Sequence, residues 1–171
     1  MLFRSLALVG PLLCGGANAQ TVSNTQAAPA LLAPVSPTCV TSPFGPRVLP
    51  GLPKAGTYHY GIDLRAPAGA AVRAVTVGRV LFIRRRGAGG LEVEVQHPGF
   101  TALYAHLGMV TPALATGARD LAAGEKLGVI GRSGLTYGTH LYFELQLNGQ
   151  RIDPAPFLGI TRCVNPPVVD R

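Results

Sequence analysis

Three observations predict an all-β fold, a single glycine-rich antiparallel domain. The 171 residues include 22 glycines and 15 prolines, which separate short apolar segments in the way that turns separate strands. Residues 91–96 (LEVEVQ) alternate strictly between apolar and polar side chains, a pattern typical of a strand with one buried face. No segment has the period of a long amphipathic helix, so an antiparallel sandwich or barrel-sandwich accounts best for the chain.

The first residues have the pattern of an export signal. Arg4 supplies a positive start, residues 6–13 are apolar, and residues 17–19 (ANA) form a cleavage motif. The apolar run is too short to cross a bilayer, and Cys14 lacks the small preceding residue of a lipoprotein site. We therefore expect residues 1–19 to be removed, with export to the periplasm or cell envelope and no stable membrane insertion.

The remaining chain divides into a leader, one domain and a short tail. Residues 20–37 are rich in Ala, Pro, Thr and Ser, which is typical of a flexible leader. We expect the domain to cover residues 38–165 and the tail residues 166–171. Cys39 and Cys163 lie near the two ends of that domain. In an oxidising compartment they are expected to form a disulfide, with two free thiols as the alternative.

Short strands are predicted through the rest of the chain. Residues 72–83 are rich in β-branched side chains and are interrupted by Gly78. In the alternating segment, the leucine and valines are expected to pack inward, and Glu92 and Glu94 to face water. Further strands are predicted at residues 101–106, 127–130 and 141–147, with turns at residues 97–99, 123–124 and the Asn-Gly pair 148–149.

The chain is basic, with a formal net charge of +7. An exported basic protein meets anionic wall polymers and lipid headgroups before it meets nucleic acid. No interleaved aromatics or zinc-finger spacing support nucleic-acid binding. Part of the charge lies in the run Arg84-Arg85-Arg86 before the glycine-rich turn at residues 87–90. This run is either the solvated end of a hairpin or a binding patch.

Three segments carry histidines beside other reactive side chains: residues 59–63 (HYGID), 103–107 (LYAHL) and 138–145 (GTHLYFEL). Residues two apart in a strand share a face, so His140 and Tyr142 are expected to reach one site. The opposite, core-facing side of that strand would carry Leu141, Phe143, Leu145 and Leu147. Two histidines and a carboxylate brought together would suit a hydrolytic zinc centre.

Each histidine taken singly also fits a structural role. His59, His106 and His140 could each be a hydrogen-bonded or exposed strand residue. His97 precedes Pro98-Gly99, is interpreted as the start of a turn, and is left outside the candidate site.

Taken together, the segments resemble the lysostaphin/LytM-type zinc peptidases, which act on peptidoglycan peptides. The resemblance extends in the family's order from residues 42–47 (SPFGPR) to residues 153–158 (DPAPFL). Between them lie the matching segments 59–64, 66–69, 103–107, 123–128, 131–134 and 139–145. The resemblance implies a LytM-type β domain, zinc as the cofactor and peptidoglycan as the partner, and we expect a monomer.

The same resemblance implies a role for each site residue. His59 and Asp63 stand at two zinc-ligand positions, and His106 and His140 at the positions of the non-ligand histidines that handle the water and the oxyanion. Tyr142 stands at the third ligand position, where the family normally has histidine. A neutral phenol is a poor zinc ligand, and its unperturbed pKa is about 10, so the metal would have to ionise it.

Three functions from different classes follow. The first is a peptidoglycan endopeptidase that uses zinc held by His59, Asp63 and Tyr142. The second is a catalytically degenerate relative that binds peptidoglycan or activates a cell-wall amidase. The third is a small carrier domain of the biotinyl/lipoyl type, which needs an exposed acceptor lysine; the only candidates are Lys54 and Lys126, and export argues against this function.

Overall fold

The structure is a computed structural model that describes residues 31–52 and 56–164. The predicted export signal, most of the predicted leader and the whole predicted tail lie outside the described residues. Within the described ranges, no helix combines the length and the apolar character needed to cross a membrane.

The described residues form mainly short strands, as the sequence predicts. The strands are β1 (Val40–Ser42), β2 (Gly45–Pro46), β3 (Tyr58–His59), β4 (Ile62–Arg65), β5 (Ala71–Arg73), β6 (Gly78–Arg86), β7 (Gly90–His97), β8 (Phe100–Val110), β9 (Asp120–Leu121), β10 (Lys126–Ile130), β11 (His140–Leu147) and β12 (Gln150–Ile152). Two one-turn helices, α1 (Pro112–Ala115) and α2 (Ala155–Leu158), and a 3-10 turn (Gly87–Gly89) complete the elements.

The main sheet places β4, which directly follows the His59 segment, beside the strands that carry His106 and His140. Its strands follow the order β1-β4-β11-β8-β7-β6-β9, with β10 paired to β5 and β8, and β12 paired to β11. The ladders between these strands are antiparallel. Strands β2 and β3 form a separate two-stranded sheet. Because β11 lies between β4 and β8, residues far apart in sequence meet at the centre of the sheet.

Strand β11 follows the predicted alternation over most of its length. Leu141, Phe143 and Leu145 are buried in the core. Leu147, which we expected in the core, is 42% exposed because the strand continues past the core into the hairpin with β12. That hairpin turns at the predicted Asn-Gly pair, where Asn148 has φ 51° and Gly149 has φ 76°, as a type I′ turn requires.

The expectation that the glutamates of β7 face water is wrong for Glu92. Glu92 is only 4% exposed, and its Oε2 accepts a hydrogen bond of 2.8 Å from Nε of Arg84. A buried carboxylate needs such a partner to offset its lost hydration. Arg84 also lies over the ring of Phe82, 4.0 Å from its centroid. Arg84 therefore differs from Arg85 and Arg86, because its guanidinium group pairs with a carboxylate on the neighbouring strand.

Part of the segment before residue 38, the predicted start of the domain, packs against the core. Leu31 and Val35 belong to the buried core. The backbone N–H of Leu31 donates to the carbonyl of Phe157 at 3.1 Å, and that of Arg73 to the carbonyl of Pro34 at 2.8 Å. Prolines interrupt the period of this segment, so its few apolar side chains gave no signal of strand or helix.

The predicted disulfide between Cys39 and Cys163 is present, with a sequence separation of 124. Backbone bonds reinforce it: the N–H of Val40 donates to the carbonyl of Thr161 at 2.9 Å, and the N–H of Cys163 to the carbonyl of Val40 at 3.0 Å. The bridge therefore attaches the end of the domain to β1, the neighbour of β4.

His97, which the sequence places at the start of a turn, is buried and hydrogen-bonded. Its Nδ1–H donates to the carbonyl of Val77 at 2.8 Å, and its Nε2 lies 3.3 Å from the hydroxyl of Tyr104. That hydroxyl accepts a hydrogen bond of 3.1 Å from the backbone N–H of Val75. Burial lowers the pKa of His97 below its ordinary value, so the neutral imidazole is the form that this network holds.

We expect the double substitution Cys39→Ser and Cys163→Ser to lower the free energy of unfolding by about 4–5 kcal/mol, because it frees a very long loop in the unfolded chain. Urea unfolding of the oxidised protein and the variant measures the difference. The reduced wild type should match the variant, and an unchanged unfolding midpoint would contradict the expected role of the bridge.

We also expect stability to fall as the pH drops below about 6.5, the ordinary histidine pKa. The unfolded chain then binds a proton that the folded His97 resists, so protonation favours unfolding. Urea unfolding at pH 7.5 and pH 5 should show a smaller loss for His97→Gln than for wild type. His140→Gln should also show a smaller loss than wild type, because burial lowers the pKa of His140 as well. Equal losses in wild type and His97→Gln would refute the assignment.

Candidate functional site

The structure brings all five candidate residues to one cavity of about 760 Å³, lined by His59, Asp63, His106, His140 and Tyr142 among others. Strand pairing explains the convergence. Tyr142 lies opposite Asp63 on β4 and opposite Ala105 on β8. His140 shares the face of Tyr142, and His106 follows Ala105 on β8.

Asp63 lies at the centre of the site. Its Oδ1 is 3.3 Å from Nε2 of His59 and 3.4 Å from Nε2 of His140, and its Oδ2 is 3.8 Å from Nη1 of Arg47. Burial alone would raise the pKa of Asp63, but the hydrogen bond from His59 and the charges of His140, His59 and Arg47 outweigh it and hold the pKa below its usual value. Asp63 is therefore a carboxylate surrounded by cationic or donor groups.

Arg47 is a site residue that the sequence analysis did not single out. It lines the cavity, and its Nη1 also donates to Oγ of Ser42 at 2.9 Å. Its position at the end of the SPFGPR segment, the first segment of the family resemblance, was the available signal. The pattern gave no indication that this side chain would reach Asp63.

His59 is held in one orientation. Its Nδ1–H donates to the carbonyl of Pro43 at 2.9 Å, which leaves Nε2 as the nitrogen that faces Asp63. The ring is buried. The segment before β2 thus fixes the orientation of a histidine on β3, with one ring nitrogen towards Pro43 and the other towards Asp63.

His106 has an unusual backbone. Its φ is 63°, in the left-handed region that residues other than glycine rarely adopt, and such conformations persist only where the surroundings hold them. Here its Nδ1–H donates to the carbonyl of Ser133 at 2.9 Å, and its own carbonyl accepts from the N–H of Gly131 at 3.0 Å. The ring lies against that of His140, with centroids 4.8 Å apart.

His140 completes the histidine pair. Its Nδ1 is 3.3 Å from Oγ1 of Thr136. Burial lowers the pKa of His140 more than the nearby Asp63 raises it. The neutral imidazole is therefore the dominant form at neutral pH, with Nε2 directed towards Asp63.

Tyr142 stands at a metal-ligand position of the family, but its hydroxyl is hydrogen-bonded to a glutamate. Its hydroxyl donates a hydrogen bond of 2.8 Å to Oε2 of Glu144. Oε1 of this buried glutamate accepts from Nε2 of Gln146 at 2.6 Å and from Nε of Arg151 at 2.7 Å. Burial, followed by the negative charge of Glu144, raises the pKa of Tyr142 far above its ordinary value. The phenol therefore keeps its proton and acts as a donor.

Gly61 allows the ring of Tyr142 to occupy this position. A Cβ atom at residue 61 would lie 2.9 Å from Cζ of Tyr142 and would collide with the carbonyl oxygen of Phe143. Only glycine permits so close an approach between the start of β4 and β11.

The residues present do not fit the zinc centre that the family resemblance implies. A catalytic zinc takes three protein ligands and an open position. His59 and Asp63 offer two, but the third position holds a neutral phenol hydrogen-bonded to Glu144. In the ranges that the structure describes, no group of three or more His, Cys, Asp or Glu side chains is suited to a metal ion.

We expect Tyr142→Phe to lower the free energy of unfolding by about 1 kcal/mol, because Glu144 keeps the other two donors. Glu144→Ala should cost about 2–3 kcal/mol, since it removes a charged acceptor from both Tyr142 and Arg151. Urea unfolding measures both. Tyr60→Phe is the matched control at a ring that is 51% exposed. Equal effects of the two tyrosine substitutions would contradict a structural role for the Tyr142 hydroxyl.

The chain is similar to proteins of a known family. The profile of peptidase family M23 matches residues 57–154, more than half of the chain and all five site residues. The DD-carboxypeptidase/endopeptidase Mpg of Neisseria meningitidis serogroup B is 38% identical over 122 residues, 71% of this chain and 27% of Mpg. Murein hydrolase activator EnvC of Escherichia coli is 34% identical over 100 residues, 58% of this chain and 23% of EnvC.

A solved structure shows the same fold. The catalytic domain of the antimicrobial peptidase lysostaphin from Staphylococcus simulans superposes with a TM-score of 0.60 at 27% identity, covering 68% of this chain and 89% of that one. The chain spans about a quarter of the length of the curated relatives named above. The peptidases of the matched family are zinc-dependent. On the profile match and these relatives, the chain belongs to peptidase family M23.

Proposed function

We propose that this M23 domain binds peptidoglycan peptides in its groove without hydrolysing them, as an exported wall-binding or amidase-activating module. The observation that carries the proposal is the hydrogen bond from the Tyr142 hydroxyl to Glu144. The side chain at the third ligand position is therefore hydrogen-bonded to another residue of the protein. The relatives include both an enzyme and a murein hydrolase activator, so membership of the family is compatible with either activity.

The charge balance of the site supports the same function. The carboxylate of Asp63 already has His59, His140 and Arg47 around it, so it does not depend on a metal ion to be stabilised. A zinc ion held by only two protein ligands would bind weakly and would not be fixed in a catalytic geometry. The site is therefore suited to hold a ligand by hydrogen bonds and charge.

The groove itself suits a peptide. A volume of about 760 Å³ falls within the range of ligand-binding clefts. Leu49, Leu52 and Leu135 contribute apolar surface to its walls, and His106 and His140 offer ring nitrogens at its floor. Apolar walls with a few fixed polar groups are the usual composition of a selective binding site.

Hydrolysis is the second candidate, and the backbone of His106 favours it. A left-handed conformation at a residue other than glycine is costly and clusters at active sites. The contacts of His106 with Ser133 and of His140 with Thr136 support this candidate, because an acid–base pair needs fixed imidazole rings. For zinc to use the family's third position, however, Tyr142 would have to leave Glu144 and lose its proton. The carrier-domain hypothesis is set aside, because the chain belongs to family M23.

Metal analysis after dialysis, combined with a peptidoglycan assay, tests the proposal. We expect the wild type to retain well under one equivalent of zinc, to sediment with peptidoglycan and to release no peptides from it. Tyr142→His restores the family's ligand set, because imidazole binds zinc without losing a proton, and should raise the zinc content towards about one equivalent. Tyr142→Phe is the control that removes the hydroxyl without adding a ligand.

The outcomes separate the two candidates. Zinc-dependent peptide release by the wild type that His140→Ala abolishes would establish hydrolysis and overturn the proposal. Binding of peptidoglycan by the wild type without any release of peptides supports it. Adding a purified cell-wall amidase to the same assay then distinguishes a wall-binding module from an activator, since only an activator should increase peptide release by the amidase.

A further inference from the structure

Resting on the proposed binding function, we propose that Arg65 and Arg86 bind free carboxylates of an acidic peptide in the groove. Both side chains line the cavity that holds the site, and both are exposed. The ligand is then an acidic peptide, and these two residues select it.

The acidic residues of the groove already have cationic partners. Asp63 lies beside Arg47, Glu144 accepts from Arg151 at 2.7 Å, and Glu92 accepts from Arg84 at 2.8 Å. No carboxylate of the lining therefore remains unpaired to neutralise a further arginine.

Arg65 and Arg86 are the cations that remain. The ion pairs found in the described ranges involve the arginines at positions 47, 79, 84 and 151, and within these ranges the side chains of Arg65 and Arg86 make neither an ion pair nor a hydrogen bond. Glu94, which lies outside the cavity lining, attracts Arg86, but no carboxylate of the lining pairs with either guanidinium group. A concave surface with excess charge of one sign attracts ligands of the other.

Arg65 extends from a fixed part of the sheet. It lies two residues after Asp63 on β4 and directly opposite His140 on β11, so it shares the face on which the site is built. Its backbone N–H donates to the carbonyl of Cys39 at 3.0 Å, next to the disulfide. The guanidinium is therefore presented from a rigid strand beside the histidine pair.

Arg86 is the last residue of β6, before the 3-10 turn. That turn is joined to the loop after β10: the N–H of Leu135 donates to the carbonyl of Ala88 at 2.8 Å, and the N–H of Leu91 to Oγ of Ser133 at 2.9 Å. The same Ser133 holds His106 through its carbonyl. Arg86 and the histidine pair thus belong to one connected framework, which limits the entropy lost when a ligand binds.

The chemistry of guanidinium identifies the ligand. Its planar fork matches a carboxylate with two parallel hydrogen bonds, which are stronger than those between neutral groups. A peptide with free carboxylates would offset both charges, while its aliphatic parts contact Leu49 and Leu135 on the walls. A neutral, glycine-only peptide would leave both arginines unpaired.

Calorimetric titration of the exported protein with soluble muropeptides, and with the same muropeptides after amidation of their carboxylates, tests the inference. We expect Arg65→Gln and Arg86→Gln each to weaken binding by about fivefold to tenfold, and amidation to cause a comparable loss for wild type. Arg85→Gln is the matched control. It removes the same charge from the neighbouring residue of β6, whose side chain is not part of the cavity lining, and should leave the affinity within about twofold.

Each outcome decides a different point. Equal affinity of the wild type for free and amidated muropeptides, or equal losses in all three variants, would overturn carboxylate recognition while leaving the proposed peptide binding intact. No wild-type binding to either form would overturn both. Because the substituted side chains are exposed, all variants should unfold at the wild-type temperature, and a thermal scan verifies that they are folded.

Discussion

The pairing of β11 with β4 on one side and β8 on the other is the constraint on which the site depends. It sets Tyr142 opposite Asp63 and Ala105, and thereby gathers side chains separated by some eighty positions in the chain. Because side chains alternate across a strand, a slip of one residue would send His140 and Tyr142 into the core and Leu141 and Phe143 into the groove. The complete burial of those two apolar residues makes such a slip very costly, so the core fixes the register and the register fixes the site.

The same alternation explains how much could be predicted from sequence. The faces of β11, the turn at Asn148-Gly149 and the antiparallel class follow from local patterns, and the family resemblance supplied the membership of the site. Glu92 was misassigned because its partner, Arg84, lies on a neighbouring strand, and periodicity carries no information about cross-strand charge pairs. The contact between Arg47 and Asp63 escaped prediction for the same reason: it joins two segments that only the folded sheet brings together.

At Tyr142, the position in the family's motif does not determine what the side chain binds. The sequence places it among the ligand positions, yet its oxygen points at a glutamate two residues along the same strand, on the same face. That glutamate is buried and holds three donors at once, so the phenol is one part of a satisfied polar network. Such networks are stable when complete and costly when broken, and this one keeps the site in a single arrangement.

The left-handed backbone of His106 has a consequence for engineering the domain. At such a φ, glycine is free of the steric cost that any side chain incurs, so removing the imidazole in favour of glycine offsets part of the lost packing. The loss of the imidazole therefore costs less stability than the burial of His106 suggests, and heat resistance is a weak guard of this side chain. A stability screen should hold residue 106 constant, because a derivative with glycine there would retain the fold and lose the histidine pair.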